Sequence, residues 1–404
     1  MHMKKYTLSN GLKVIEHSTS SLSVTIQITV KVGSNDEHDE IRGISHFIEH
    51  MMFEGTSNRA DAKTISNEIE SLGGDINAFT DNTRTSYYIK VPKKHFEKAL
   101  DILSDMIKNS LFLEKNIEKE RDVILKEINI YNDESRYYQW ILFTSSLFSK
   151  HPSKYPPYGT IKDVKNISRK DILSYFNRHY NANNSILTIV GGAKATKKLV
   201  EKYFSDYTKG KPTKTKTVKE PQLTRPIIKK VKRQLMNSYC VLGYKTVPRT
   251  HPDSFALDVL QAIFGKGQSG KLFDEIRNKR GLAYEVGVYH KPSTDYGYFA
   301  VYFGAEKKNI PLAKQIIFDE INKLPELTEK EIKEAKGFID GKYILNSEDT
   351  EYKADKLSFW EQIKDADFEK EYLKKIKKVT KKDILRVAKK YLGKNYCMSV
   401  IEQK

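Results

Sequence analysis

Two histidines and a glutamate fall within five residues, His46-Phe-Ile-Glu49-His50, inside a segment whose apolar residues recur at steps of three and four. From Gly43 to Phe53 the recurring residues are Ile44, Phe47, Ile48, Met51 and Met52, the pattern of an amphipathic helix with one buried face. His46, Glu49, His50 and Phe53 then share a neighbouring stripe. Side chains at i and i+4 stand one turn apart, so both imidazoles reach one cation while Glu49 reaches a water beside it. The geometry requires this segment to be helical.

Catalytic zinc sites take three protein ligands and keep a further position for water, so a third inward-facing ligand is expected elsewhere. Between Glu114 and Asn132, the residues Ile117, Glu120, Ile124, Glu127 and Tyr131 share one helix face. Two carboxylates inside an apolar stripe need a cation, a metal or hydrogen-bond donors, because burying them unpaired is costly. The alternative is a solvated face on which Glu120 and Glu127 pair with Arg121 or nearby lysines.

His46-x-x-Glu49-His50, followed 77 positions beyond His50 by Glu127 within Glu120-Arg-Asp-Val-Ile-Leu-Lys-Glu127, resembles the inverted zincins. That is the family of pitrilysin, insulin-degrading enzyme and mitochondrial processing peptidase. The resemblance implies that His46, His50 and Glu127 are ligands of one Zn2+ per chain, with Glu49 the general base and Glu120 a carboxylate orienting the site. Chemistry agrees with these roles, since zinc lowers the pKa of water towards neutrality and Glu49 accepts the proton.

The resemblance extends along most of the chain. Tyr6-Thr-Leu-Ser-Asn-Gly-Leu-Lys-Val14 is similar to the family's opening strand and turn, with Asn10-Gly11 a hairpin signal. Gly73-Gly-Asp-Ile-Asn77-Ala78-Phe-Thr80 leads into Thr85–Val91, and the two segments read as adjacent strands. The family places the Asn-Ala strand beside the metal and adds substrate to it as a further strand, which implies that Asn77 and Ala78 bind substrate. On the residues alone, an ordinary hairpin with Asn77 in a bulge or turn fits as well.

Between Tyr207 and Pro226, Lys, Thr and Pro dominate without apolar periodicity, as in a solvated connector. The chain therefore divides into a metal-bearing domain 1–208, a linker 209–226 and a second domain 227–404. The halves read as distant repeats: strand Val24 to Val32 precedes the metal-motif helix, and strand Ser238 to Thr246 precedes a helix Asp253 to Phe264 that lacks the motif. Closing strands are expected at Ser185 to Val190 and Asn395 to Ile401. The fold class is α+β, with two similar domains, each a mostly antiparallel sheet flanked by helices.

Gly265-Lys-Gly-Gln-Ser-Gly270 satisfies the G-x-G-x-x-G template, but it follows an amphipathic helix rather than a strand, and Leu272 stands where a P-loop needs Ser or Thr. Nucleotide binding is not expected there. The family has a glycine-rich substrate-contacting loop in the corresponding place, and a plain helix-to-helix turn is the alternative. The family also carries an Arg and a Tyr seven positions apart that reach bound peptide, which maps onto Arg277 and Tyr284. A cation and a phenol can hold a carbonyl and stabilise a developing oxyanion. A surface ion pair and a half-buried strand tyrosine are their other readings.

A chain of 404 residues with 39% hydrophobic content can bury sizeable cores. No apolar run approaches the roughly 18 residues of a membrane helix, and no signal or transit segment precedes the Tyr6 strand, so a cytoplasmic protein is expected. Cys240 and Cys397 lie in strand-like apolar segments and read as small core residues. The balance of 70 Lys+Arg against 52 Asp+Glu gives +18, spread over helices and loops without a nucleic-acid motif, so a solvated lysine-rich surface is expected.

The expected function is a zinc endopeptidase acting on short or unfolded peptides. In the family, two-domain chains of this length pair into a clamshell dimer. Possession of both the zinc motif and the Arg277/Tyr284 pair makes a homodimer the expectation, with a heterodimer as the other arrangement. A noncatalytic peptide-binding or scaffold subunit is the alternative function.

Overall fold

The computed structural model describes residues 2–215 and 217–404. The chain is α+β and forms two compact units of similar build, each made of three stretches of sequence. The first comprises Met1–Asn129, Tyr155–Lys216 and Leu345–Glu369; the second comprises Ile130–Lys154, Thr217–Ile344 and Lys370–Lys404.

The first unit is built on six strands: β1 (His2–Thr7), β2 (Lys13–Ser18), β3 (Ser23–Val30), β4 (Asp75–Thr80), β5 (Thr85–Pro92) and β6 (Ser185–Gly191). Their order is β1-β2-β6-β3-β5-β4; β2 and β6 run parallel and every other pair is antiparallel. Gly11 turns β1 into β2 at φ +96°, a left-handed value that favours glycine. In β3, Val24, Ile26, Ile28 and Val30 join a core shared with the helices Ile44–Met51, Phe96–Asn109 and Glu114–Asp133.

The alternate residues of β3, Thr25, Gln27 and Thr29, are buried too. Their cover comes from the helix Thr350–Ile363, far along the sequence. Thr25 Oγ1 lies 2.8 Å from Thr350 Oγ1, Thr188 Oγ1 lies 2.8 Å from Ser358 Oγ, and Ala354 and Leu357 pack on Ile15, Ile186 and Val190. A polar strand face is thus buried at low cost, because its hydroxyls find hydroxyl partners.

The second unit holds β7 (Ile227–Arg233), β8 (Ser238–Thr246), β9 (Ala283–Pro292), β10 (Gly297–Ala305) and β11 (Cys397–Gln403) in the order β7-β11-β8-β10-β9. Here β7 and β11 are parallel and the rest antiparallel. Strand for strand this repeats β2-β6-β3-β5-β4, so β9 is the counterpart of β4 and each ends its sheet. The helix Ser135–Leu147, from the first half of the sequence, covers this sheet with Phe143 and Leu147 against Val241, Tyr298 and Ala300. A Cβ at Gly243 would come 2.6 Å from the Phe143 ring tip, so the strand has no side chain there.

A single cut at 209–226 therefore does not follow the compact units. The helices Ser135–Leu147 and Thr350–Ile363 each pack on the sheet of the other half of the sequence, and no local pattern encodes that exchange. Cys240 and Cys397 are free and buried in the second unit. Among the described residues no helix is long and apolar enough to cross a membrane.

Candidate metal centre

The helix Ile44–Met51 starts at Gly43, whose φ of +94° and 2.6 Å approach of a Cβ to the Tyr158 carbonyl leave room only for glycine. Its first amides are capped from upstream: Glu37 accepts from the Gly43 N–H at 2.8 Å and the Ser45 N–H at 2.9 Å. Ser45 Oγ lies 3.0 Å from Tyr175 OH. Ile44, Phe47, Ile48 and Met51 are buried in the core, which leaves His46, Glu49 and His50 half-buried on the adjacent stripe.

The helix Glu114–Asp133 is tied to the end of that helix. Asn116 Nδ2 donates to the Glu54 carbonyl at 3.0 Å, and Lys119 Nζ meets the Glu54 carboxylate at 2.8 Å. Ile117, Ile124 and Ile128 anchor it in the core. Glu120 and Glu127 consequently face the two imidazoles. His46 Nε2 lies 3.7 Å and His50 Nε2 3.5 Å from Glu127 Oε2, and the ligand atoms of all three fall within 4.8 Å of one another. Among the described residues this is the one such group of three histidine, cysteine or acidic side chains.

Those separations are too long for hydrogen bonds, and Glu127 Oε2 is a buried oxygen with no hydrogen-bond partner among the described residues. Two imidazole nitrogens and a carboxylate oxygen surround one point without satisfying each other, as a borderline divalent cation with nitrogen and oxygen ligands requires. The donor set fits zinc.

The electrostatics follow from the packing. Burial pushes His46 down to about 4, with the His50 charge adding to it. Burial acts the same way on His50, but the Glu120 hydrogen bond at 3.0 Å to Nδ1 and the approach of Glu127 outweigh it and hold His50 up at about 9. Glu120, despite burial, is held below the usual carboxylate range by His50 and by Lys119. Its bond to Nδ1 also fixes the ring so that Nε2 faces Glu127. His46 has no equivalent, since its Nδ1 is buried without a hydrogen bond among the described residues.

Glu49 stands apart from this group and accepts a 2.5 Å hydrogen bond from Thr80 Oγ1 at the end of β4. Burial pushes Glu49 up to about 7, against the lowering effect of Thr80 and His50. A carboxylate poised near neutrality can both take and return a proton. Sequence reasoning named the β4 segment but gave Thr80 no role, and it missed Glu37 altogether; neither contact follows from local spacing.

Residues 13–159 match the family model described as Insulinase (Peptidase family M16), and residues 166–337 match Peptidase M16 inactive domain. A relative from Rickettsia felis, named an uncharacterized zinc protease, is 34% identical over 355 residues, covering 87% of this chain and 85% of its own. The chain belongs to peptidase family M16. The resemblance read from the His46 motif is to this family. A probable mitochondrial-processing peptidase subunit beta from Arabidopsis thaliana is 29% identical to the M16 chain, over 98% of it and 77% of the relative. The crystal structure of a protease from Helicobacter pylori shares its fold with a TM-score of 0.93 over 99% of each chain, at 24% identity.

The remaining residues singled out in this M16 chain lie on sheet margins. Asn77 is exposed on β4, its Oδ1 accepting from the Ala78 N–H at 2.8 Å, and β4 is an edge strand with one side unpaired. Arg277 is exposed, its guanidinium 4.9 Å from the Phe273 ring, in the turn before β9. Tyr284 is 37% exposed near the start of β9, edge-on to Tyr239, and lies over Gly304, where a Cβ would come 2.5 Å from its hydroxyl. Gly265–Gly270 connects a helix to a further helical segment.

Proposed function

We propose that the chain is a zinc endopeptidase for short or unfolded peptides, with His46, His50 and Glu127 holding one Zn2+. The observation that carries this reading is the convergence of two imidazoles and the Glu127 carboxylate, with ligand atoms within 4.8 Å of one another, beside an independently held carboxylate, Glu49. Zinc in such a setting supplies Lewis acidity, lowering the pKa of nearby water and polarising a carbonyl. Glu49 takes the proton of the attacking water and returns it to the departing amine. Glu120 keeps His50 in the tautomer whose Nε2 faces Glu127.

The unpaired edge of β4 accepts an extended peptide through main-chain hydrogen bonds, with Asn77 and Ala78 along it. Arg277 and Tyr284 supply a cation and a phenol to a substrate carbonyl. On this reading the first unit is catalytic and the second contributes to substrate contact. The chain acts as a cytoplasmic homodimer enclosing its substrate, a related subunit being the other partner. A noncatalytic scaffold role fits less well, because the donor set and Glu49 are both intact.

Zinc-loaded protein is expected to cleave a mixture of unfolded peptides, to lose that activity on chelation and regain it with zinc, while light scattering gives twice the 46.7 kDa of one chain. Peptides left intact in every condition contradict the catalytic reading, and a fully active monomer contradicts the dimer.

Thr80→Val tests the base. The Thr80 hydroxyl lowers the Glu49 pKa and burial raises it, so removing the hydroxyl leaves burial less opposed and moves Glu49 further up. Glu49 works deprotonated, so the acid limb of kcat/KM against pH shifts to higher pH, by about one to two units for a hydrogen bond to a charged group. A limb that stays in place removes Thr80 from the mechanism.

A further inference from the structure

Beside the N-terminus of the metal-motif helix, the first unit contains a cavity of about 460 Å³ to which the peptidase reading assigns nothing. Glu37 and Tyr175, which brace that helix, form part of its wall, and His179 forms another part. Its rim carries the exposed side chains of His38, Arg178, Lys211 and Lys214.

The acidic and basic residues around this cavity differ in one respect. Glu37 accepts from the Gly43 and Ser45 amides, Asp171 from the Ser168 amide and hydroxyl, and one oxygen of Asp36 from the Gly33 amide. Arg178, Lys211 and Lys214 form no ion pair or side-chain hydrogen bond among the described residues. Three cations therefore face the opening uncommitted, in a concavity of the size that holds small ligands.

His179 adds a buried polar ring to the wall. It is 5% exposed, and burial, aided by Arg178 and His38, pushes it down to about 4, so the ring is neutral at pH 7. Asn184 Oδ1 accepts from the Thr213 N–H, which fixes the amide so that Asn184 Nδ2 donates to Thr213 Oγ1 at 2.8 Å. The Thr213 hydroxyl also lies 2.7 Å from His179 Nδ1. His179 Nε2 makes no hydrogen bond among the described residues, and His179 lines the cavity.

We propose that this cavity is a binding site for a small phosphate-bearing anion, held by His179 and by Arg178, Lys211 and Lys214. The guanidinium fork matches two phosphate oxygens, and the lysines supply point charges. The inference does not depend on the peptidase reading.

The test is calorimetric titration of the full chain with inorganic pyrophosphate, as purified and again after metal removal by chelation and dialysis. One saturable site in both forms is expected, because the cavity contains no metal ligand. Arg178→Ala, and separately Lys211→Ala with Lys214→Ala, should weaken binding by about tenfold or more, as expected when a charge-assisted hydrogen bond is lost. Lys198→Ala, an exposed lysine of the helix Lys197–Phe204, should leave it unchanged. No saturable binding, binding that vanishes with the metal, equal weakening in Lys198→Ala, or citrate binding more tightly than pyrophosphate would each overturn the proposal.

Discussion

Glu49→Gln is expected to lower peptide hydrolysis by about 10²- to 10⁴-fold, the usual contribution of a general base, while the zinc content of the protein stays the same. The separation of the two readouts follows from the geometry. Glu49 is bonded to Thr80 and does not belong to the group formed by His46, His50 and Glu127, so the amide replaces a proton acceptor without removing a metal ligand. Gln also preserves the shape of the side chain and an oxygen for the Thr80 hydroxyl. Peptide turnover and metal analysis on the same preparation decide the matter. Unchanged turnover excludes Glu49 as the base, and lost zinc means that it is structurally part of the metal site.

Phe143→Ala is expected to destabilise the second unit by about 3–5 kcal/mol, the range for removing a fully buried phenylalanine. Phe143 is in the first half of the sequence, yet its ring packs on Val241, Tyr298 and Ala300 and fills the space over Gly243. Hydrogen exchange followed by mass spectrometry reads the effect locally. Amides of β8, β10 and β11 should lose protection while β3 and β6 keep theirs. Loss of protection in β3 and β6 instead would contradict the exchange of helices between the two sheets.

What the sequence revealed is what periodicity controls. The steps of three and four around His46 identified a helix with both imidazoles on one stripe, and those around Glu120 identified a second helix turning two carboxylates the same way. Strands β4, β5 and β8 were legible from β-branched and aromatic runs bounded by glycine and polar residues. The division of labour between Glu120, bonded to His50 Nδ1, and Glu127, facing both Nε2 atoms, came from resemblance, since spacing alone treats the two alike.

Contacts made only in the folded chain were not legible. Thr80 reaches Glu49 because β4 runs beside the metal-motif helix, and Glu37 reaches the helix start through a loop whose course no motif records. The helix Thr350–Ile363 has weak amphipathic character because its buried side includes Thr350 and Ser358, which meet the threonines of β3 and β6. A polar helix face against a polar strand face looks like solvent exposure in sequence.

The measurement that tests the central claim most directly is the zinc content of the purified chain and of Glu127→Gln after identical dialysis. Two imidazoles and one carboxylate around a single ion predict near one zinc per chain in the wild type and little in the variant. A wild-type chain that retains no zinc, or a variant that keeps all of it, contradicts the account.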